Sequence, residues 1–540
     1  MSDFHGPQGP FDIPDVPNYI PRRLKPWLFI LFVLIVQFSG GVYLAAASDM
    51  VGTTGLMQED ILMAGYAMLV GMSINFAVMF RLKFRFSNRV GLLICGAALI
   101  AANFICATTS SVVVLVITCF FAGWFRMWAT FVCNSTIQLW LTPVRDMAIF
   151  FCYVYLVVDS AIQLSGIFTV YTAFFWQWEY MQWIMIGLLA LMMIMVMIFV
   201  RPVKGPLQIP LLGIDWIGAG LWSVFMLCFT FICVYGNYFD WWEAREIRGA
   251  VLLGLVCVGI NLWRARFLHH PYISFTALTN RNVVRASIIY LVFFTLLGTE
   301  HVFEHSYAEA VLGFDETNMI DLNWYVFAGI LAGTAFTYFT FALHRWRYRT
   351  MTSIGFFLAA IYLAYFYFMI DYGVEKEMLF IPLFARGAAS VIISIVYLTS
   401  ILQGGMHFFV FPQALTINGF TGAVLGATFG PAVIGELLRH CMAKNAAFIG
   451  SAVTDTSGLL STHTLPELYG MVQVQALVVS MKEIYGWLLV ASIIALLIIL
   501  LGYGPVRPNV IFPKWRTIRK LVRSSVRPLM TLRGMRQAQN

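Results

Sequence analysis

Apolar runs of 19 to 31 residues recur along the whole 540-residue sequence, separated by short charged connections. Each run is long enough to cross a ~30 Å hydrocarbon core as a helix. Within that core every backbone polar group must be satisfied inside the segment. This repetition restricts the chain to an all-α polytopic membrane protein. A soluble chain that is 60% apolar and 11% charged lacks the polar surface to cover itself, since ordinary domains carry roughly 25% charged residues. Helices are expected near 27–47, 61–80, 90–108, 111–141, 147–174, 180–200, 213–235, 248–266, 284–306, 322–343, 352–371, 378–402, 407–437 and 484–503. Residues 1–26 are polar and proline-rich and show no cleavable signal peptide.

The formal charge of +8 does not point to nucleic acid, because the cations are sorted by side. Of the 34 Lys and Arg, 26 fall on the side that holds both termini, six on the other, and Arg126 and Arg386 fall inside helices. The positive-inside rule then places both termini in the cytoplasm of a cell (inner) membrane protein. Segment 504–540 carries nine basic residues and no acid, which suits contact with anionic membrane lipids.

The nine cysteines show no CxxC pair and read as packing residues, so no disulfide or metal is expected. Gly422, Gly426 and Gly430 repeat at every fourth position, a small-residue face for close helix contact. The connection 438–483 is too long for a turn and is expected to form a small outer feature.

Several segments in a fixed order resemble a known family. These are Trp176-Gln-Trp178, Asp215-Trp-Ile-Gly218, Asp240-Trp-Trp-Glu243, the stretch Pro271 to Arg281, and Gln473 to Trp487. Over nearly its whole length the chain resembles the fourteen-helix drug:proton antiporters of the major facilitator superfamily, the EmrB/QacA type. The resemblance implies a major facilitator fold: an N-terminal six-helix half (27–200), an extra helix pair (213–266) and a C-terminal six-helix half (284–503) containing the outer loop 438–483. It also implies a small-molecule substrate, protons as coupling ion, and a periplasmic adaptor with an outer-membrane channel as partners. The departures concern mechanism. The run from Lys83 to Arg89 has Phe84 where the family has an acid, the helix 4 arginine position is Cys119, helix 5 keeps only Ser165-Gly166 of its motif, and the helix 1 carboxylate position is Gln37.

Ionisable residues inside a helix bundle are costly and mark pathways or relays. Asp159, 12 residues into helix 5, and Arg126, 15 residues into helix 4 from the opposite side, lie at similar mid-membrane depth. They are the first candidate proton-coupling pair, against the alternative of a buried ion pair that locks helices 4 and 5. Glu300 and Arg386 are the second candidates. Helices 1, 4, 9 and 12 are expected to line the cavity, with Gln37, Trp124, Glu300, His301, Glu304 and His305 as candidate lining residues. His301-Val-Phe-Glu304-His305 also matches the H-x-x-E-H pattern of zinc peptidases. Without a catalytic domain or a third ligand the match is accidental, so no metal, cofactor or enzymatic activity is expected.

The chain thus reads as a proton-coupled exporter of amphipathic small molecules or drugs, working by alternating access. An exporter of a lipid or secondary metabolite on the same fold is the alternative, and a non-transporting scaffold or sensor the remote one.

Overall fold

The structure, a computed structural model, describes residues 15–21, 23–142, 146–203, 211–371, 373–403, 410–452 and 464–502. All regular elements among these residues are helices. Twelve are long and apolar enough to cross a membrane, or thirteen when Gln58–Asn75 and Met79–Arg85, bent by 66°, count as one span. The first apolar helix, α1 (Lys25–Phe38), has only 14 residues, or ~21 Å at 1.5 Å per residue. It stops where Ser39-Gly40-Gly41 breaks the backbone, with Gly41 at φ +80°, and the chain resumes as the short helix α2 (Ala47–Thr54). The first expected span, 27–47, is therefore a short helix followed by a break, with a 3-10 turn at Leu44–Ala46 leading into α2.

The remaining helices of the first half are α3 (Gln58–Asn75), α4 (Met79–Arg85), α5 (Asn88–Thr108), α6 (Val112–Leu141), α7 (Met147–Phe175) and α8 (Trp178–Phe199). The extra pair is α9 (Trp216–Tyr235) and α10 (Arg245–Ala265). The second half contains α11 (Phe275–Leu278), α12 (Arg281–Leu297), α13 (Phe303–Ala310), α14 (Glu316–Thr337), α15 (Tyr348–Met369), α16 (Phe380–Gln403), α17 (Phe411–Gly419), α18 (Leu425–Ala452) and α19 (Leu465–Leu501).

The two halves repeat one packing scheme. In the first, α6 packs on α1, α3 and α5, while α5 also packs on α8; in the second, α16 packs on α12, α14 and α15, while α15 also packs on α19. Both halves bring helix backbones together at glycine. A Cβ on Gly123 would stand 1.9 Å from the Met68 carbonyl oxygen, and one on Gly387 would stand 2.4 Å from that of Val326. Small residues allow this approach where lipid provides no hydrophobic drive for helix association. The glycine face of the thirteenth helix packs as expected, with Gly422 over the Tyr290 ring, Gly426 on Phe294, and Gly430 against Gly298.

In the second half one expected span is refined and one expected loop is corrected. The ninth expected span, 284–306, is present as Arg281–Ala310, its α-helix interrupted by a 3-10 turn at Gly298–His301 between α12 and α13. The outer loop 438–483 is largely helical: α18 continues to Ala452, and α19 begins at Leu465 under a Thr464/Glu467 capping box. The apolar stretch after Glu467 lets the ladder run unbroken into the last span. At 37 residues, α19 is ~55 Å long. Residues 453–463 and the basic tail 504–540 lie outside the described residues.

The halves meet mainly at the end where α1 begins and α19 stops. There Ala148, Phe151 and Cys152 at the start of α7 join the second half's core, and Arg345 pairs with Asp146. Phe80 on α4 lies 6.0 Å from Phe411 on α17, and the Tyr272 hydroxyl donates to the Ile74 carbonyl. At the far end, the extra pair ties to α18 through Trp241 Nε1 donating to Glu436 at 3.0 Å and through the 2.8 Å Arg439–Asp240 ion pair.

A strap crosses the near end of the first half. Asp15 and Val16 are buried, and Asn88 Nδ2 donates to both Asp15 Oδ2 and Thr136 Oγ1. Lys83 Nζ donates to the same Thr136 hydroxyl at 3.1 Å and to the Val132 carbonyl at 3.1 Å. The Arg201 amide closes the strap by donating to the Asp15 carbonyl at 2.7 Å. The acid that the 83–89 run lacks is thus brought in from residue 15.

Candidate functional site

The two buried arginines, Arg126 and Arg386, sit on helices expected to face the cavity. Arg386 on α16 places Nη1 2.8 Å from Glu304 Oε2 and 3.3 Å from Glu300 Oε2. The broken span makes this possible: the 3-10 turn presents Glu300, and α13 restarts in time to present Glu304. Glu304 Oε1 also accepts from the Tyr362 hydroxyl at 2.8 Å, and that hydroxyl lies 2.9 Å from Thr299 Oγ1. Two carboxylates share one guanidinium, so the cluster holds a net negative charge when both are ionised. The Glu304 carboxylate is the more enclosed, whereas that of Glu300 keeps 34% exposure. One carboxylate of the pair thus reaches open space while the other is held by two partners.

In the first half the corresponding arginine has a different partner. Arg126 is 6% exposed. Its Nε and Nη2 donate to Gln37 Oε1 at 3.1 and 2.7 Å, and Nη1 points to the Met68 sulfur at 3.5 Å. Gln37 Nε2 donates in turn to Thr130 Oγ1 at 2.7 Å. The expected Arg126–Asp159 pair does not form. Helical rise gave both residues the same depth but said nothing of azimuth, and on the folded helices Arg126 turns to α1. Asp159 is half-buried, makes no ion pair or hydrogen bond among the described residues, and lies within electrostatic reach of Tyr155 and Tyr290.

The other candidate residues separate. Trp124 packs on Phe125 and Trp128, with ring centroids 5.0 and 5.8 Å away, against the first half's core. His305 lies 3.3 Å from Glu309, with both side chains exposed. The His301 side chain lies outside the described residues. No group of three or more His, Cys, Asp or Glu converges as metal ligands among the described residues, and Glu304 of the H-x-x-E-H match is committed to Tyr362 and Arg386. Tyr362, Thr299 and Thr130 escaped the sequence reading, since single buried tyrosines and threonines in apolar helices leave no periodic signal.

The shape has known counterparts. A nucleoside transporter, NupG, superposes with a TM-score of 0.54 at 12% identity, over 88% of this chain and 99% of that one. A POT peptide transporter gives 0.57 at 13% over 88% and 95%, and a structure from the proton-dependent oligopeptide transporters gives 0.57 at 10% over 92% and 99%. The fold is the one these transporters share. Neither a protein-family model nor a curated protein matches the sequence. At these identities the likeness concerns the fold: a multi-pass, all-helical bundle of the major facilitator type.

Proposed function

We propose that this chain is a secondary active exporter of amphipathic small molecules, driven by protons across the inner membrane, with both termini in the cytoplasm. The two halves rock about a site at mid-membrane depth. The observation that carries the reading is the Glu300–Glu304–Arg386–Tyr362 cluster, a graded carboxylate pair on the second half's cavity-facing helices. Asp159 on α7 supplies a further carboxylate, without a fixed counter-ion among the described residues, as a proton carrier requires. The side assignment rests on the 26 of 34 cations at the termini side.

The resemblance to EmrB/QacA-type antiporters supports drug-like substrates and an adaptor partner on the far side. The α18–α19 hairpin supports the latter, because α19 exceeds a ~30 Å core by nearly its own half-length. Everted vesicles carrying the chain are expected to accumulate dyes or drugs only with an imposed pH gradient. The panel includes nucleosides and peptides, named for the structural neighbours. Asp159→Asn and Glu300→Gln keep size but remove the charge cycle, and at least one is expected to abolish gradient-driven uptake while leaving substrate binding intact. Full uptake by both variants would reject proton coupling through these groups.

A further inference from the structure

The repeated packing allows the two halves to be compared position by position. In each, one buried arginine sits beside a glycine at a close helix crossing: Arg126 three residues after Gly123, and Arg386 next to Gly387. Each arginine faces the first span of its own half, Arg126 through Gln37 on α1 and Arg386 through the 3-10 turn and α13. There the symmetry ends. Arg386 meets two carboxylates; Arg126 meets an amide oxygen and a thioether. No carboxylate pairs with Arg126 among the described residues. Gln37 cannot turn its nitrogen toward the arginine, because Thr130 Oγ1 already donates to the Arg126 carbonyl at 2.8 Å and so must accept from Gln37 Nε2.

A guanidinium keeps its charge under any physiological condition, and buried charges ordinarily have a partner of opposite sign. Gln37 takes up two of the five donors, and a thioether is a weak acceptor for a third.

We propose that the missing counter-charge is carried by the substrate: Arg126 is the docking point for the carboxylate, or a similar single anionic headgroup, of an amphipathic molecule. The opposite half, with two carboxylates for one arginine, repels a second anionic group and so favours substrates with one. This inference rests on the transporter reading above and narrows its substrate class.

The test uses the full chain in nanodiscs and a matched pair of probes, a naphthyl-alkyl carboxylate and its trimethylammonium counterpart of equal length. The wild type is expected to bind the carboxylate at least tenfold more tightly. Arg126→Gln is expected to erase that preference. Gln37→Glu places an internal carboxylate where the substrate's acid would sit. It is expected to erase or reverse the preference while leaving thermal stability equal to the wild type or higher, which separates competition from misfolding. Should Arg126→Gln fail to fold, Gln37→Glu carries the test alone. Equal affinity of the wild type for both probes, or an intact preference in Gln37→Glu, would overturn the proposal. An intact carboxylate preference without flux of either probe in everted vesicles would instead overturn the exporter reading and leave the anion site standing.

Discussion

At the scale of single residues, the charges differ in how completely they are answered. Arg386 sits between Glu300 and Glu304, so removing it strands two like charges in an enclosed site. Arg386→Ala is expected to cost on the order of 3 kcal/mol or more of stability, read by denaturant or thermal unfolding in detergent. Adding Glu304→Gln to that variant is expected to restore part of the loss, because one buried charge then disappears; an additive double-mutant cycle would show that the groups do not interact. Asp15 makes a prediction in pH. Burial pushes its carboxyl above the ordinary value, against the lowering effects of the Lys83 charge and the Asn88 hydrogen bond. An acid with a raised folded-state value stabilises its docked form fully below its ordinary value, near 3.8, and loses that contribution as pH climbs through the raised one. Limited proteolysis within 15–24 is therefore expected to quicken as pH rises above the ordinary carboxylate range, and Asp15→Asn is expected to flatten the dependence.

At the scale of elements, the hairpin of α18 and α19 is the part that leaves the bundle. Deleting 445–475 is expected to abolish efflux from intact cells while sparing transport into everted vesicles, as the loss of an adaptor contact would. Equal loss in both assays would make the hairpin part of the transporter's own framework. The spans themselves were legible in the sequence, because run length and hydropathy report directly on what a hydrocarbon core accepts. Their breaks were not. Gly298 and Thr299 interrupt α12 without a proline, and Ser39-Gly40-Gly41 ends α1 early in a stretch as apolar as its neighbours. The partners of Arg126 and Asp159 were not legible, since a helix places residues by angle as well as by rise. The Asp15 contact was hidden for another reason: Asn88 lies 73 residues away in sequence, and no local pattern announces a pairing over that distance.

At the scale of the whole molecule, the halves are joined at the end holding the termini and by the extra pair at the other. A reporter active only in the cytoplasm is expected to be active when fused after Arg281 or Arg349 and silent when fused within 455–465. Activity at 455–465 would invert the last helix and reject the assigned topology. Alternating access requires the near-side contacts to open. Replacing Phe80 and Phe411 with cysteine is therefore expected to give a pair that a short thiol-reactive linker joins in the resting protein, and joins less once substrate and a pH gradient are supplied.

The strap beneath the first half has a consequence for how the protein is made. Asp15 is synthesised before α1, and the amide that closes over it belongs to Arg201, made after α8. Synthesis and insertion run from the N-terminal side, so that segment waits, unseated, while the six spans of the first half are inserted behind it. Nascent chains stalled within α7 are expected to leave the segment around residue 15 open to protease, and chains stalled beyond α9 to protect it. Completion of the first half is thereby registered at its own starting point, before any helix of the second half has been translated.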